Sequence, residues 1–532
     1  MFPAASESDT TSKAGKKDPV NLSVKLLGNR IHNDQTLPEY LIEFLLIFCS
    51  PKEKNVNSPE HNGAMRFHTP DEVAQGLLYY VNTRVGLRRF IFYGRSKQDS
   101  RSDMDTFAYE ELKKRLEDAC ENSPDDVLLM HDLLQSYAVV TRNRGWYAQA
   151  LLPVVPQFII PDLQGIRKRQ HMTFPGVPAG ELPEDLLHMR ELDSTFDLSK
   201  HNFLARGGQI LYLHLLEPMI RDPRLDQAYR PKLEYYLCHM LEGAGNGIQL
   251  VADFVQEIWS EATTEKYHSP FNMGHITDGY AIRGERFLKE ITGFLSNDIH
   301  PITRIELLAQ GMVLSLMRVI QIVAHHTLHP DAPEPLWIMD MSGQGGTSNI
   351  GRMAARSYAD AYDVFQSAMI RLCDELDIPQ QERMKLLSEG RRQSADIFKK
   401  LAKDIRLVIP PHGANERFSL SEQLVRYLVL ALVAPHTKIT LDTFLQRLYD
   451  HFRMVIAPAQ YRQAMQEKAW DGGENMADYF EINARAFQAF LRQCGFLREL
   501  SDATAIVENP YEEVTYDAAD DRIHLLSNHR EN

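Results

Sequence analysis

The sequence predicts a mainly α, multidomain helical protein with a mixed α/β N-terminal region and a C-terminal unit of three helices and a β-hairpin. Three observations predict it. From Phe203 to about Leu407, segment after segment repeats apolar residues at helical spacing. From Phe418 to Tyr511, three helical patterns precede two alternating runs joined by a short turn. Before Leu198, a helical run at Tyr40–Phe48 stands beside a strand-like one at Leu87–Tyr93. The 532 residues suffice for two to four domains, taking roughly 150 residues for each.

The C-terminal unit is justified residue by residue. Ser419 and Glu422 have capping-box spacing. Behind them Leu424, Tyr427, Leu428, Ala431 and Leu432 form one apolar helical face, and Pro435 follows its end. Thr440 caps a second helix, with Asp442 in its first turn and Leu441, Phe444, Leu445, Leu448 and Phe452 inward. Met454–Ile456 is extended, and Pro458 suits a first helical position. A third long helix is expected over Asn475–Cys494, with Met476, Tyr479, Phe480, Phe487, Phe490, Leu491 and Cys494 inward and Gly495 as its stop. Phe496–Leu500 and Thr504–Glu508 then alternate around a three-residue loop, Ser501–Ala503. Three helices followed by a hairpin is the outline of a winged-helix domain.

The rest of the chain divides around that unit. Residues 1–18 are polar and read as a disordered tail. Residues 19–198 form a mixed N-terminal domain with basic patches, 199–410 a helical domain, 411–511 the winged helix and 512–532 an acidic tail. Thr69-Pro-Asp-Glu72 opens a helix with Thr as cap and Pro at its first position. Ile409–Ala414 reads as a linker. No start resembling a signal peptide is present. The most apolar stretch, Leu307–Val323, contains Gln310, Arg318 and Gln321 and reads as a buried helix. Cys49, Cys120, Cys238, Cys373 and Cys494 are scattered and never form a C-x-x-C pair. That suits a reducing cytoplasm and excludes a cysteine-based zinc module.

Charge narrows the function classes. A net charge of −14 argues against a generally basic nucleic-acid coat and permits a local basic site. Such a site is offered by Arg84, Arg88, Arg89, Arg95, Lys97 and Arg101, which meet a single acid, Asp99, among Phe90, Phe92 and Tyr93. Cations with interleaved aromatics are what a phosphate backbone or single strand requires. The simpler reading is a strand whose charges are solvated or paired with the acids of 103–117. Arg142, Arg144, Arg167, Lys168 and Arg169 form a second basic patch. On the third C-terminal helix Arg485 and Arg492 point the same way, yet Asn415–Tyr511 carries ten Lys and Arg against twelve Asp and Glu. A DNA reader needs concentrated positive charge to displace counterions, so this winged helix suits protein docking better.

The remaining chemistry is a glycine-rich loop. Leu336–Arg352 runs from a short apolar run through Gly343, Gly345 and Gly346 into a helix. A helix N-terminus behind glycines can hold phosphate, with Ser342, Thr347, Ser348 and Arg352 as the contacts. The P-loop pattern fails, because Gly351 is followed by Arg352-Met353 and not by Lys-Ser/Thr. Read simply, Asp340 and Thr347 cap the next helix. His325 and His329 are spaced i, i+4, but the Glu of H-E-x-x-H is missing and Pro330 follows at once. Nothing points to a metal, a cofactor, a nucleophile elbow or a kinase signature.

A helical body, a winged helix and an Arg-, Gln- and His-rich texture together resemble the large accessory subunits of bacterial multi-gene DNA-modification, restriction and anti-phage systems. The resemblance implies a non-enzymatic subunit that is DNA-associated or scaffolding, with DNA backbone and other subunits as partners and no membrane. Two other readings stay open: an enzyme binding a phosphate-containing ligand at 340–352, and a pure protein-docking adaptor.

Overall fold

The computed structural model describes residues 20–32, 36–52, 65–80, 87, 90, 112–120, 123–136, 164–165, 196–197, 206–242, 248–262, 270–343, 348–471, 476–499 and 505–516. Among these residues the protein is mainly α, with sixteen α-helices and eleven strands of four residues or fewer. The expected tail at 1–18, residues 517–532 of the acidic tail expected over 512–532, and the hairpin loop Ser501–Ala503 lie outside the described residues, whereas 512–516 are described and packed on the body.

Capping sets the first elements. Helix α1 (Leu22–Leu27) opens on Asn21, whose side chain accepts the Val24 N–H at 3.1 Å. Helix α2 (Leu37–Cys49) opens on Thr36, whose hydroxyl donates to Glu39 at 2.7 Å. The Tyr40–Phe48 run is buried throughout, as expected. Thr69 caps α3 (Pro70–Gln75) as expected, and with Glu72 it forms a capping box. Strand β1 (Leu78–Tyr80), helix α4 (Pro124–Ser136) and the paired β2 (Gln164–Gly165) and β3 (Phe196–Asp197) follow. The strand expected over Leu87–Tyr93 is corrected at its two described residues. Leu87 and Phe90 are helical and buried, and their i, i+3 spacing puts both on one helical face.

The helical body comprises α5 (Gly207–Arg221), α6 (Pro223–Glu242), α7 (Ile248–Ala262), strand β4 (Pro270–Asn272), α8 (Gly284–Leu295) and α9 (Pro301–Leu328). Strand β4 closes back antiparallel on β1, pairing Leu78 with Asn272. Helix α9 is the axis. By length and composition it could cross a membrane, but 94% of its apolar window is buried inside the protein, which makes it a core helix. It packs against α1, α2 and α5 and against three later helices, α10 (Asn349–Glu375), reached through strand β5 (Trp337–Ile338), α12 (Ala395–Asp404) and α13 (Glu422–Leu432), while α11 (Gln380–Arg392) packs on α10 and α12. Gly311 sits where α13 crosses α9: a Cβ there would lie 2.0 Å from the Tyr427 ring. Only a residue without a side chain permits that approach.

Between α12 and α13 the expected linker is a ribbon, strands β6 (Val408–Ile409) and β7 (Arg417–Phe418) pairing antiparallel. After α13 come β8 (Lys438–Thr440), α14 (Leu441–Phe452), β9 (Met454–Val455), α15 (Pro458–Gln466), α16 (Ala477–Gln493), β10 (Leu497–Glu499) and β11 (Ala505–Glu508). The hairpin pairs Leu497 with Val507, and β8 adds to it, giving an antiparallel sheet in the order β10-β11-β8. Strand β9 instead pairs in parallel with β5, Trp337 opposite Met454.

Two details depart from expectation. Helix α13 is capped by Ser421, not Ser419, because the Ser419 hydroxyl donates to the Asp340 carbonyl at 2.8 Å. Tyr479 is 40% exposed: Phe480, Asn483, Phe487 and Leu491 form the buried line of α16, and Tyr479 falls outside it. One buried apolar cluster runs from Leu22 to Val514, crossing both the 198/199 and the 410/411 lines. A smaller one gathers Ile338, Ile350, Tyr449, Val455, Tyr461 and Phe480 between β5, α10 and the C-terminal helices. Past β11 the chain lies across the body: the Asp298 N–H donates to the Glu512 carbonyl and the Val514 N–H to that of Ser296, both at 2.8 Å. Val514 is buried there, and the Tyr516 ring meets Tyr235 at 5.2 Å.

Candidate functional site

The glycine-rich loop and the helix before the hairpin meet at Asp340. The chain enters through β5, with the Met339 N–H donating to the Val455 carbonyl at 3.0 Å and the Asp340 N–H to that of Phe418 at 2.9 Å. The buried Asp340 carboxylate is saturated. Arg417 Nε donates to Oδ2 at 2.6 Å, while the Ser342 N–H and hydroxyl donate to Oδ1 at 3.0 and 2.6 Å. Asn483, buried on α16, accepts the Met341 N–H at 2.7 Å and donates to the Met339 and Ile456 carbonyls, both at 2.9 Å. These contacts pin the loop's entrance to the C-terminal helices.

Of the proposed phosphate contacts, Ser342 is tied to Asp340 and Thr347 lies outside the described residues. Ser348 caps α10, accepting the Gly351 N–H at 2.9 Å, in place of the Asp340 and Thr347 expected to do so. Arg352 is exposed one turn on and donates to the Asn349 side chain. Ser348 and Arg352 therefore share the first turn of α10, and Ser342 does not join them. Arg356, the next basic residue of that face, lies 5.0 Å over the Trp470 ring.

Sequence reading missed a buried ionic cluster between the body and the C-terminal unit. Arg283 donates to Glu290 at 2.5 Å, and His451 of α14 meets the other oxygen of Glu290 at 3.0 Å. Arg286 pairs with Glu334 and donates to the Asp450 carbonyl at 2.9 Å. Arg318 donates to Gln321 and the Pro335 carbonyl and lies 4.8 Å over Trp337. Burial pulls the Arg318 guanidinium down to about 9. Burial also works against the Glu334 carboxylate, but Arg286 and Arg318 outweigh it and hold the group below its ordinary value. Nearby, burial and then Arg283 keep His214 neutral, well below the usual imidazole range. The contacts that close the cluster onto the C-terminal unit, His451 to Glu290 and Arg286 to Asp450, span 161 and 164 residues and leave no local pattern to read. Their chemistry here is that of a joint.

The outward face of α16 carries Arg485 and Arg492, both exposed, together with Asp478, Tyr479, Glu481 and Ile482. On the sheet, Lys438 and Arg498 both pair with Glu508. Arg84, Arg88, Arg89, Arg95, Lys97, Arg101, Arg142, Arg144, Arg167, Lys168 and Arg169 lie outside the described residues. The His325 and His329 rings are 5.4 Å apart, and burial pushes His325 down to about 4. Among the described residues no three His, Cys, Asp or Glu side chains gather as a metal site. No family model, curated protein or solved structure matches the chain.

Proposed function

We propose that the chain is a non-enzymatic, DNA-associated scaffolding subunit of a bacterial multi-protein defence or DNA-processing complex in the cytoplasm, with residues 411–511 as a winged-helix domain used for protein docking. The order α13, β8, α14, β9, α15, α16, β10, β11, with β8 as third strand beside the hairpin and α15 as an added helix before α16, supports the winged helix. The outward face of α16 carries the docking reading. It mixes exposed Tyr479 and Ile482 with acids and an arginine, a surface that suits a protein better than a polyphosphate. Glu508 pairs with both sheet cations, Lys438 and Arg498, and offsets one of their two charges, which weakens a DNA role for the hairpin. DNA association is assigned to the basic segments 84–101 and 142–169 on their composition.

A gel-shift salt series on the full chain tests both parts. Arg88→Glu/Arg89→Glu/Arg95→Glu is expected to weaken DNA binding about tenfold or more and to flatten its salt slope. Arg492→Glu/Arg498→Glu is expected to change it less than about twofold. DNA binding lost with the second set would move the contact to α16 and the hairpin and overturn the docking reading; binding unchanged by the first would remove the DNA assignment.

A further inference from the structure

We infer that α16 docks antiparallel against α16 of a second copy of this chain, about a twofold axis level with Ala484 along the helix and on the opposite, outward side. The proposal rests on the docking reading above and names the partner. Tyr479, Ile482, Ala486 and Ala489 recur at i, i+3, i+7 and i+10, one stripe of the helix. None is buried, and Tyr479 and Ile482 are 40% and 53% exposed. Counted from Ala484 the stripe is palindromic in position, two residues on each side at matching distances, and complementary in size, large before the centre and small after it. In an antiparallel pair Tyr479 therefore lies over the partner's Ala489, and Ile482 over the partner's Ala486. Each large side chain meets a small one, the condition for two helix faces to interdigitate. Both halves of the contact are the same, as a twofold interface requires.

Charge fixes the direction. Asp478, Glu481 and Arg485 occupy the flank beside the stripe, acids toward the N-terminus and the base toward the C-terminus. Antiparallel helices set that flank against itself reversed. Glu481 then comes beside the partner's Arg485, offset along the axis by about 3 Å at 1.5 Å per residue, well within side-chain reach. Parallel pairing would turn the two charged flanks to opposite sides of the contact and leave Glu481 without the partner's Arg485 beside it, and a DNA backbone would face two carboxylates. One helix face buries less than the roughly 800 Å² per partner of a standard stable interface, so the dimer is reversible and concentration-dependent.

Sedimentation velocity on the full chain across a concentration series tests this. Wild type is expected to pass from monomer to dimer. Ile482→Glu, Glu481→Arg and Arg485→Glu should each weaken association about tenfold or more. The double exchange Glu481→Arg/Arg485→Glu should restore it to within about threefold, and the two single charge variants should associate with each other when mixed. A chain that stays monomeric throughout overturns the proposal. So does a dimer indifferent to Ile482→Glu and to both charge reversals, although that result would leave the wider docking reading in place.

Discussion

The Arg283 guanidinium donates to the Glu290 carboxylate at 2.5 Å with neither side chain exposed to solvent. His451 approaches the same carboxylate from α14, so the pair belongs to the joint between the body and the C-terminal unit. Removing one member of a buried pair strands the other charge, at about 3–5 kcal/mol, whereas replacing both by apolar residues can be neutral. Glu290→Ala is expected to lower the unfolding free energy by about that amount. Arg283→Met/Glu290→Leu should lose less than either single variant. Urea titrations of the three proteins check the order.

Asp340→Ala should behave as a structural lesion. The side chain that would lose its partner, Arg417, is nearly buried, and Ser342 would lose both its hydrogen bonds to the carboxylate. A cost of about 3 kcal/mol or more is expected, read as a fall in Tm. A variant with unchanged Tm but lost binding of a nucleotide or divalent ion would instead favour an enzyme at this loop.

Gly311→Ala tests the helix crossing at the centre of the molecule. The added methyl would collide with the Tyr427 ring, which is itself buried. Overpacking of this kind costs about 1–3 kcal/mol or more. Gly343→Ala, where a Cβ meets nothing within 4 Å, has no such collision and isolates the strain of its positive φ. Differential scanning calorimetry of both variants separates the two effects, and the larger loss is expected at Gly311.

His68 predicts a pH dependence. Its Nδ1 faces the Tyr212 hydroxyl at 2.9 Å and its Nε2 the Leu78 carbonyl at 2.8 Å, an arrangement met by the neutral ring with its proton on Nε2. Burial, and then Lys52, push the imidazole from 6.5 down to about 3. Between those values the unfolded chain binds the extra proton and the folded one does not, so this contribution is complete above pH 6.5 and is lost as the pH falls toward 3. His68→Gln should flatten the stability profile over that window in denaturant titrations. An unchanged slope would show that His68 does not carry it.

Local rules made much of the secondary structure legible in the sequence. Thr69 with Glu72, and Thr440 with Thr443, sit where capping chemistry places them because each partner is three residues away, and Pro458 opens its helix by its own fixed backbone. Ser419 misled because its hydroxyl is taken by a carbonyl 79 residues distant. Strands of two residues, such as β5 and β9, carry no periodicity, so their pairing could not be anticipated. Tyr479 was placed inward because aromatic residues usually are, yet the phase set by Phe480, Phe487 and Leu491 turns it outward. The ionic joint is hidden for a similar reason: Arg283 and Glu290 are near neighbours, but His451 reaches Glu290 across 161 residues.

Leu22 and Val514 belong to one buried cluster, and the segment after β11 is fastened to the body by backbone hydrogen bonds at Ser296 and Asp298. This has a consequence for biosynthesis. A ribosome delivers the first helix long before the last strand, so the nascent chain carries α1, α2 and α9 with part of their apolar surface still uncovered. Closure waits for the final residues, and contacts of such long sequence separation form slowly. Apolar surface left uncovered through that interval is what favours aggregation of an emerging polypeptide.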